Sequence, residues 1–167
     1  MDAFLNLARN DVEISSNAPK QLTLELHSKF ISNYEKNKQS YEFIMSEYLQ
    51  MSGMYWCLTA MDIMGKLSEL DDLNAIVDYI KKCQQPNGGF ASAVSHDAHL
   101  LHTLSAVQIL VMLNRLNEVD LSGVEKYVVE RQNEDGSFGG DCSNEIDTRF
   151  SFCAIATLYL IVSLHFD

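Results

Sequence analysis

The sequence predicts an all-α protein, an incomplete arc of an α/α toroid in which inner and outer helices alternate. Three observations predict this fold: a segment that recurs 48 positions further along the chain, an amphipathic helix at the start of each copy and an almost wholly apolar helix at its end. Self-similarity at such a period is typical of repeat proteins, whose units bury their apolar faces against one another. Two clear copies and a degenerate one are expected to form an arc rather than a closed ring.

The repeat is clearest between residues 83–112 and 131–160, which align without a gap. Equivalent positions carry identical residues in the pairs Gln84 and Gln132, Gly88 and Gly136, Phe90 and Phe138, Ser95 and Ser143, Ala106 and Ala154, and Leu110 and Leu158. A glycine followed two residues later by a phenylalanine, at the same place in each copy, predicts that both copies contain the same turn.

The first part of the chain is the least regular. Residues 1–21 are polar and are expected to form a flexible N-terminal arm. Leu22, Leu26, Phe30 and Tyr34 then recur every four residues, which predicts a short amphipathic helix. The first repeat keeps an apolar second helix but has no glycine turn. The three repeats are expected over about residues 22–67, 73–116 and 121–167.

The second and third repeats each open with an amphipathic outer helix. Residues 76–83 place apolar side chains at i, i+3, i+4 and i+7, and residues 124–128 repeat the start of this pattern. The expected N-caps are Asp71 or Asp72 for one helix and Ser122, in a capping box with Glu125, for the other.

The second helix of these repeats has almost no polar face. Residues 100–113 are predominantly apolar, which predicts a helix buried on all sides. Residues 150–166 contain no formally charged side chain and approach the length needed to cross a bilayer. Because this segment begins as a copy of the buried inner helix, no membrane span is expected.

The composition narrows the possible functions. The 167 residues carry 23 acidic and 12 basic side chains, a net charge of −11, and form no basic stripe. Nucleic acid is therefore not expected as a partner. The four cysteines show no CxxC spacing and the first ten residues contain no continuous apolar run, so a reducing, cytoplasmic location is expected.

Three histidines at a spacing of three are the first candidates for chemistry. His96 and His99 can share one face of a helix, whereas His102 has rotated away, so a shared metal site is geometrically poor. Polar roles in the wall of a pocket are the preferred interpretation. Asp141 and Cys142 are adjacent and are expected in a solvent-facing loop rather than as joint metal ligands. No metal site is expected in this chain.

Glu145, Asp147 and Arg149 are the strongest functional candidates by residue type alone. They lie at the entry to an apolar helix, where a lone buried charge would be costly. They are therefore expected either to pair with each other or to face a cavity. No nucleophile with its base, phosphate-binding glycine loop or set of metal ligands is complete in the sequence.

Three segments carry a resemblance to a known family. They are MSEYLQMSGMYWCLTAMDIMG at residues 45–65, HDAHLLHTLSAVQIL at residues 96–110 and EDGSFGGDCSNEIDTRFSFCAIATL at residues 134–158. Together they strongly resemble the N-terminal half of the β subunit of Rab geranylgeranyltransferase, also called geranylgeranyl transferase type 2. The resemblance covers about residues 16–160, and the farnesyltransferase and type 1 relatives fit less well. The fold of that family is an α/α barrel of inner and outer helices.

The resemblance implies a zinc-dependent transferase of prenyl groups. In that family the β subunit pairs with a helical α subunit in a cytoplasmic heterodimer, and an escort protein presents a Rab GTPase. Zinc activates the thiolate of a C-terminal Rab cysteine, which attacks geranylgeranyl diphosphate, because the metal holds the sulfur ionised near neutral pH. A basic cluster stabilises the diphosphate leaving group.

The resemblance also implies which residues contact the isoprenoid. The positions that line the isoprenoid tunnel in the family match Ser52, Tyr55, Trp56, Leu104, Arg149 and Phe152. Further pocket-wall residues are expected at Tyr48, His99, His102 and Asp147. A small side chain at Ser52 leaves depth for a twenty-carbon chain, where the farnesyl enzyme has a bulky aromatic. His102 departs from the family, which usually has an aromatic at this position.

The catalytic centre of the family has no counterpart in this sequence. Its zinc ligands, an Asp-x-Cys pair and a distant His, lie in the second half of the family's subunit together with the basic cluster. His165 belongs to a tail that no longer follows the family. The chain alone is therefore expected to be inactive.

Alternative functions remain open from the sequence. The first is a catalytic β subunit represented by an incomplete or alternatively ended chain. The second is a non-catalytic arc that binds the α subunit, or a prenylated or apolar ligand, without turnover. A third is an unrelated α/α toroid such as a terpene cyclase, although the aspartate-rich motif expected in that class is absent.

Overall fold

A computed structural model describes residues 13–36 and 40–163, with the backbone alone for residues 34–36. The helices along these segments are α1 (Leu24–Lys36), α2 (Tyr41–Met45), α3 (Gln50–Ile63), α4 (Leu73–Cys83), α5 (Leu100–Met112), α6 (Leu121–Val129) and α7 (Thr148–Ser163). Short 3-10 turns precede α3, α4 and α6, at Glu47–Leu49, Leu67–Glu69 and Leu116–Glu118. Within the described residues, β-structure is limited to isolated bridges, and the all-α prediction is confirmed.

The inner layer consists of α3, α5 and α7, with α5 in the middle. α5 packs against α3 and against α7, and α6 packs against α7. Most of α5 is buried, as its apolar sequence predicts. The outer helices α4 and α6 join the same core through Val77, Ile80, Val124 and Val128. The two layers of the predicted α/α arc are therefore present.

The repeat extends to backbone geometry. The β-bridges are Gln84 with Phe90, Ala91 with Ala98, Gln132 with Phe138 and Gly139 with Ile146. The last two bridges repeat the first two 48 positions later. Both glycine turns have a positive φ, 92° at Gly88 and 87° at Gly136. The turn predicted from the sequence thus closes in the same way in both copies.

α1 and α3 form the first copy, offset by 49 positions from α4 and α5. Lys66 follows α3 and donates to Glu25 of α1 at 2.8 Å. Arg115, 49 positions later, donates to Asn74 of α4 at 2.8 Å. α1 is therefore the outer helix of this copy. In place of a glycine turn, the first copy has α2 and the 3-10 turn that precedes α3.

The start of each of the first two inner helices is bound by the loop of the next copy. The N–H of Met51 in α3 donates to the carbonyl of Ser92 at 2.9 Å, and the N–H of Leu100 in α5 donates to the carbonyl of Gly140 at 2.9 Å. The first N–H groups of a helix have no partner within it. Each of these bonds satisfies one such group and links two successive copies.

α1 buries a different face from the one predicted. Leu26 and Phe30 of the apolar stripe are exposed, and Leu22 precedes the helix. Among the side chains of α1 that the structure describes, the buried one is that of Ser28. The side chain of Tyr34 lies outside the described part of the chain. The spacing predicted the helix correctly, but the stripe lies at the end of the row of repeats, where no preceding described copy covers it.

Both α4 and α6 have an aspartate as N-cap. Asp72 caps α4 by accepting two backbone N–H groups at 2.9 and 3.0 Å. Asp120 caps α6 by accepting the N–H of Gly123 at 3.0 Å, and the hydroxyl of Ser122 donates to the same carboxylate. The predicted capping box of Ser122 with Glu125 is therefore wrong, because an aspartate two residues earlier already occupies the cap position.

Gln84 and Gly88 attach the second copy to the start of α6. The side-chain amide of Gln84 donates to the carbonyl of Asp120 at 2.9 Å and accepts the N–H of the same residue at 3.1 Å. A Cβ on Gly88 would lie 2.6 Å from the Cα of Gly123 and nearer still to its carbonyl oxygen. The turn fits against the helix only because position 88 has no side chain.

α7 is apolar, as predicted, but it is not buried on all sides. Its exposed face consists of Phe152, Ile155, Tyr159 and Val162. The equivalents of Phe152 and Ile155 in α5 are the buried Leu104 and Val107. The prediction of complete burial fails on this face because α7 is the last inner helix among the described residues. In segments 13–36 and 40–163, no helix combines the length and apolar character of a membrane span.

Candidate functional site

Ser52 of α3 lies against two polar residues of α5. Its hydroxyl oxygen is 3.4 Å from Nδ1 of His102 and 3.4 Å from the hydroxyl oxygen of Ser105. Ser105 donates its own proton to the carbonyl of Leu101 at 2.9 Å, so Ser52 is the donor in the contact between the two serines. A small polar cluster is therefore buried where the first two inner helices meet.

Tyr55 lies one turn further along α3 and contacts the same helix. The side-chain amide of Gln108 donates to its hydroxyl at 3.1 Å. Gln108 shares one stripe of α5 with Leu101 and Met112, and all three side chains are partly exposed. This stripe is a part of α5 that its neighbours do not cover completely.

His99 caps α5 and also contacts the third copy. Its Nδ1 accepts the N–H of Leu101 at 3.1 Å, which places the proton of the neutral ring on Nε2. Its ring meets Phe150 edge-on, with the ring centroids 5.1 Å apart. A Cβ on Gly140 would lie 2.8 Å from Cε2 of Phe150 and nearer still to Nε2 of His99. The imidazole is thus held by its own helix and by the next repeat.

Burial favours the neutral form of two histidines. Burial, followed by the charges of His99 and His96, lowers the pKa of His102 to about 4. Burial also lowers the pKa of His99, against the opposing effect of the carboxylates of Asp141 and Glu145. Near neutral pH the site therefore presents an uncharged imidazole at His102.

Asp147 and Arg149 form a bidentate ion pair. Nε and NH2 of Arg149 donate to the two carboxylate oxygens of Asp147, each at 2.9 Å. This pairing, with a backbone hydrogen bond from Arg149, lowers the pKa of Asp147. The guanidinium carbon lies 5.9 Å from the ring centroid of Phe150. Of the two alternatives predicted for these charges, the structure has the mutual pair, at an exposed position. Glu145, the third candidate, is exposed as well.

Phe150 connects this ion pair to the histidines. It contacts Arg149 on one side and His99 on the other, and the rings of His99 and His102 lie 5.7 Å apart. His102 in turn contacts Ser52. The structure therefore brings Ser52, His99, His102 and Arg149 with its partner Asp147 into one continuous set of contacts.

The other candidate residues are placed differently. Tyr55, Leu104 and Phe152 occupy equivalent positions of the three inner helices, at offsets of 49 and 48 positions. Tyr55 is half-buried and Leu104 is buried, whereas Phe152 is 66% exposed. Trp56 and Tyr48 are also exposed, by 59% and 61%. These three aromatic side chains face solvent in the described structure.

Several residues of the site were not predicted from the sequence. They are Ser105, Gln108, Gly140 and Phe150. The repeat contained a signal for one of them, because Phe150 lies 48 positions after His102 and so occupies the equivalent place on the next inner helix. Ser105 and Gln108 could be found only once the packing of α3 against α5 was known.

We expect the Gly140→Ala substitution to destabilise the fold by about 2 kcal/mol, because a new methyl group must displace a packed histidine and phenylalanine. Gly53→Ala is the matched control, since a Cβ at Gly53 meets nothing within 4 Å. Gly53 lies inside α3, so its replacement is expected to stabilise by about 0.5–1 kcal/mol. Urea unfolding of both variants measures the two effects, and equal stability of both would contradict the tight packing at Gly140.

The residues that the structure describes do not fit a zinc site. Within them, no group of three or more His, Cys, Asp or Glu side chains is placed to hold a metal ion. Nδ1 of His99 is occupied by a backbone N–H, and Nδ1 of His96 lies 3.2 Å from the hydroxyl of Ser92. Cys142 is exposed in its loop. We therefore assign no chemical step to a metal in this part of the chain.

The fold and this set of contacts define an α/α repeat protein whose inner helices carry an apolar, aromatic and partly polar surface. The family model of the prenyltransferase alpha-alpha toroid domain matches residues 22–166. The chain belongs to this family. The predicted fold class, an α/α toroid of which an arc is present, is confirmed.

Curated relatives show which subunits within this family the chain resembles. The chain is 47% identical over 111 residues to a probable geranylgeranyl transferase type-2 subunit beta of Caenorhabditis elegans, a match that covers 66% of this chain and 33% of the relative. It is 35% identical over 150 residues to the geranylgeranyl transferase type-2 subunit beta of Saccharomyces cerevisiae, covering 86% of this chain and 45% of the relative. The resemblance to type-2 β subunits is confirmed.

A solved structure supports the same fold. The chain superposes with a TM-score of 0.66 on a chain of Candida albicans protein geranylgeranyltransferase-I complexed with GGPP, at 19% identity. The match covers 85% of this chain and 48% of that one. The chain thus spans between a third and a half of the length of these three proteins.

Proposed function

We propose that this chain is the isoprenoid-binding part of the β subunit of a type 2 geranylgeranyltransferase. The whole enzyme would attach geranylgeranyl groups from geranylgeranyl diphosphate to C-terminal cysteines of Rab GTPases. The observation that carries this proposal is the identity to type-2 β subunits, which reaches 47%. The apolar inner layer with its buried Ser52 supports it, because a long lipid tail needs an uncharged and extended contact surface.

The proposed isoprenoid contacts are Ser52, Tyr55, Trp56, Leu104, Arg149 and Phe152, with Tyr48, His99, His102 and Asp147 as pocket wall. The neutral form of His102 suits contact with an apolar tail, since no isolated charge has to be buried against it. Arg149 contributes a cation that is already paired with Asp147. In this proposal it contacts the isoprenoid and also holds Phe150 at the start of α7.

The proposed enzyme contains further components. They are a helical α subunit, a Rab GTPase presented by an escort protein, and zinc, all in the cytoplasm. Zinc would activate the Rab cysteine thiolate when bound, with ligands outside this chain's described residues. The chain is divided as the sequence indicates, into an arm over residues 1–21, of which 1–12 lie outside the described residues, and three repeats. Alone, it is expected to bind isoprenoid without turnover.

Ser52→Trp tests the proposed depth of the isoprenoid site. The indole would occupy the space of the last isoprene unit, whose five carbons each contribute about 0.8 kcal/mol when buried. We expect the ratio of geranylgeranyl to farnesyl diphosphate affinity to fall by at least about 10-fold. Isothermal titration calorimetry with both diphosphates measures this ratio. Ser52→Ala keeps the side chain small and is expected to leave the ratio unchanged.

Reconstitution with an α subunit extends this test to catalysis. An enzyme that contains the Ser52→Trp chain should prefer the shorter isoprenoid as substrate. If the Ser52→Trp chain is folded and bound to the α subunit but the chain-length preference is unchanged, Ser52 does not lie at the end of the isoprenoid site. Thermal unfolding of the variant confirms that it is folded.

A non-catalytic arc is the second candidate function. The observation that favours it is the absence of converging metal ligands among the described residues. Such an arc would bind the α subunit or a prenylated tail without reaction. Zinc content and transfer activity in the presence of the α subunit separate the two candidates. If this chain binds zinc and transfers prenyl groups in the presence of the α subunit, the non-catalytic arc is excluded.

A further inference from the structure

We propose that Ser105 acts through Ser52 to fix the proton of His102 on Nδ1, and that His102 thereby faces the tail of the isoprenoid rather than its diphosphate. The hydrogen bonds concerned lie between α3 and α5, and all their partners belong to the part of the chain that the structure describes. Their consequence for the ligand rests on the proposed function. Ser105 is a positioning residue here, because it affects the ligand only through its neighbours.

The carbonyl of Leu101 is the fixed end of this chain of hydrogen bonds. A carbonyl oxygen can only accept, so the hydroxyl of Ser105 donates its proton to it, at 2.9 Å. Towards Ser52, 3.4 Å away, the oxygen of Ser105 can therefore only accept. Both serines are buried, which favours the arrangement that forms the most hydrogen bonds.

The single hydroxyl proton of Ser52 can be placed in two ways. If Ser52 donates it to Nδ1 of His102, 3.4 Å away, no proton lies between Ser52 and Ser105 and that contact is not a hydrogen bond. If Ser52 donates to Ser105, Nδ1 of His102 donates to Ser52 and both contacts are hydrogen bonds. The second arrangement has one hydrogen bond more and is therefore favoured. It places the proton of the neutral ring of His102 on Nδ1.

His99 has the opposite arrangement. Its Nδ1 accepts the N–H of Leu101 at 3.1 Å, so its ring proton lies on Nε2. The ring centroids of His99 and His102 are 5.7 Å apart. Burial lowers the pKa of both rings, which keeps them uncharged near neutral pH. Two neighbouring imidazoles therefore carry their protons on different nitrogens.

The positions of these protons decide which ligand atoms each ring can bind. Nε2 of His102 has a lone pair and no proton, so it cannot donate a hydrogen bond to a diphosphate, whose oxygens are acceptors. The uncharged ring can pack against apolar carbon atoms without burying a charge. Under the proposed function, the tail of the isoprenoid therefore contacts His102 and the diphosphate lies elsewhere. Of the two rings, only that of His99 can donate from Nε2 to an oxygen.

Nitrogen NMR of the chain with isotope-labelled histidine locates both protons. A protonated ring nitrogen is distinguished from an unprotonated one by its chemical shift. The signals are assigned by their absence in the His102→Phe variant and in the His99→Asn variant, which keeps a side chain able to cap α5. We expect the proton on Nδ1 of His102 and on Nε2 of His99. A wild-type His102 with its proton on Nε2 would overturn the proposal.

The Ser105→Ala variant tests the role of Ser105. Without this acceptor, the proton of Ser52 is free to bind Nδ1 of His102, and the ring proton is then expected on Nε2. The ratio of the Nδ1–H form to the Nε2–H form should fall by about fivefold or more, because one hydrogen bond no longer favours the first form. A variant whose backbone amide spectrum shows that it is folded, but which keeps the wild-type ratio, would contradict the proposal.

The Ser92→Ala variant is the matched control. Ser92 is another buried serine whose hydroxyl contacts a histidine, with its oxygen 3.2 Å from Nδ1 of His96. Its truncation removes the same atom as Ser105→Ala without touching the chain of hydrogen bonds between α3 and α5. The proton of His102 should therefore remain on Nδ1. A shift to Nε2 in this variant as well would mean that Ser105 has no specific role.

Geranylgeranyl diphosphate tests the orientation of the ligand. When this ligand is bound, the proton of His102 should remain on Nδ1. A proton that moves to Nε2 on binding would show that a ligand oxygen accepts from the ring, and the orientation would be overturned. If isothermal titration calorimetry detects no binding, the proposed function fails, whereas the protons measured in the free chain still decide the role of Ser105.

Discussion

Replacing Gly88 by alanine is expected to lower the free energy of unfolding by about 4 kcal/mol. The residue has a φ of 92°, a conformation that costs a non-glycine residue about 1–2 kcal/mol. A Cβ there would also overlap the backbone of Gly123, so the start of α6 would have to move away from the turn. Overpacking of this kind costs about 1–3 kcal/mol, and the Gln84 hydrogen bonds to Asp120 would be weakened in addition.

The repeat itself provides the control for this substitution. Gly136 lies 48 positions later, has a φ of 87°, and would meet nothing within 4 Å if it carried a Cβ. Gly136→Ala should therefore lose only the conformational part, about 1–2 kcal/mol. Urea unfolding of the two variants separates conformational strain from steric overlap. Equal losses in both variants would contradict the close approach of the turn to α6.

Acidification is expected to destabilise the protein through His102. Its pKa is about 4 in the folded state, because burial disfavours the charged ring, and about 6.5 in the unfolded chain. Because the folded pKa is the lower one, the contribution of this residue is complete above about pH 6.5 and is lost as the pH falls towards 4. The difference corresponds to up to about 3 kcal/mol. The pKa of His99 is lowered as well, which adds in the same direction.

The His102→Phe variant isolates the contribution of His102 to the loss of stability at low pH. His99 contributes over the same range, because burial lowers its pKa as well. The relevant quantity is therefore the difference between wild type and variant in unfolding free energy, measured in urea at about pH 7.5, 6 and 5. The wild type should lose more stability than the variant between these values. Parallel curves would show that His102 titrates normally in the folded protein.

The helices were predictable because their signals are local. The apolar runs of residues 100–113 and 150–166 and the amphipathic faces of the outer helices predicted α4, α5, α6 and α7 without any knowledge of packing. The glycine turns were predictable because a positive φ favours glycine wherever it occurs. The cap of α6 was mispredicted because Asp120 and Ser122 both satisfy the residue preference for an N-cap. Only the backbone geometry decides between them.

The contacts of the site were less predictable because they depend on the register between helices. Ser52 meets His102 and Ser105 because of how far α3 is shifted along α5 where the two helices pack. A pattern within one helix contains no information on that shift. Exposure of Phe152 on α7 and Phe30 on α1 was also missed, since it follows from which repeat lies at each end of the row rather than from the helix itself.

The backbone hydrogen bonds from Met51 to Ser92 and from Leu100 to Gly140 make the stability of one repeat depend on the repeat that follows it. Each of the first two inner helices depends on the following loop to satisfy an amide at its first turn, so loss of order in one repeat removes a bond from the repeat before it. Within the described residues, local opening should accordingly spread from each repeat to the one before it, towards the N-terminus. A chain of similar units thereby acquires a polarity of unfolding that the resemblance between its repeats conceals.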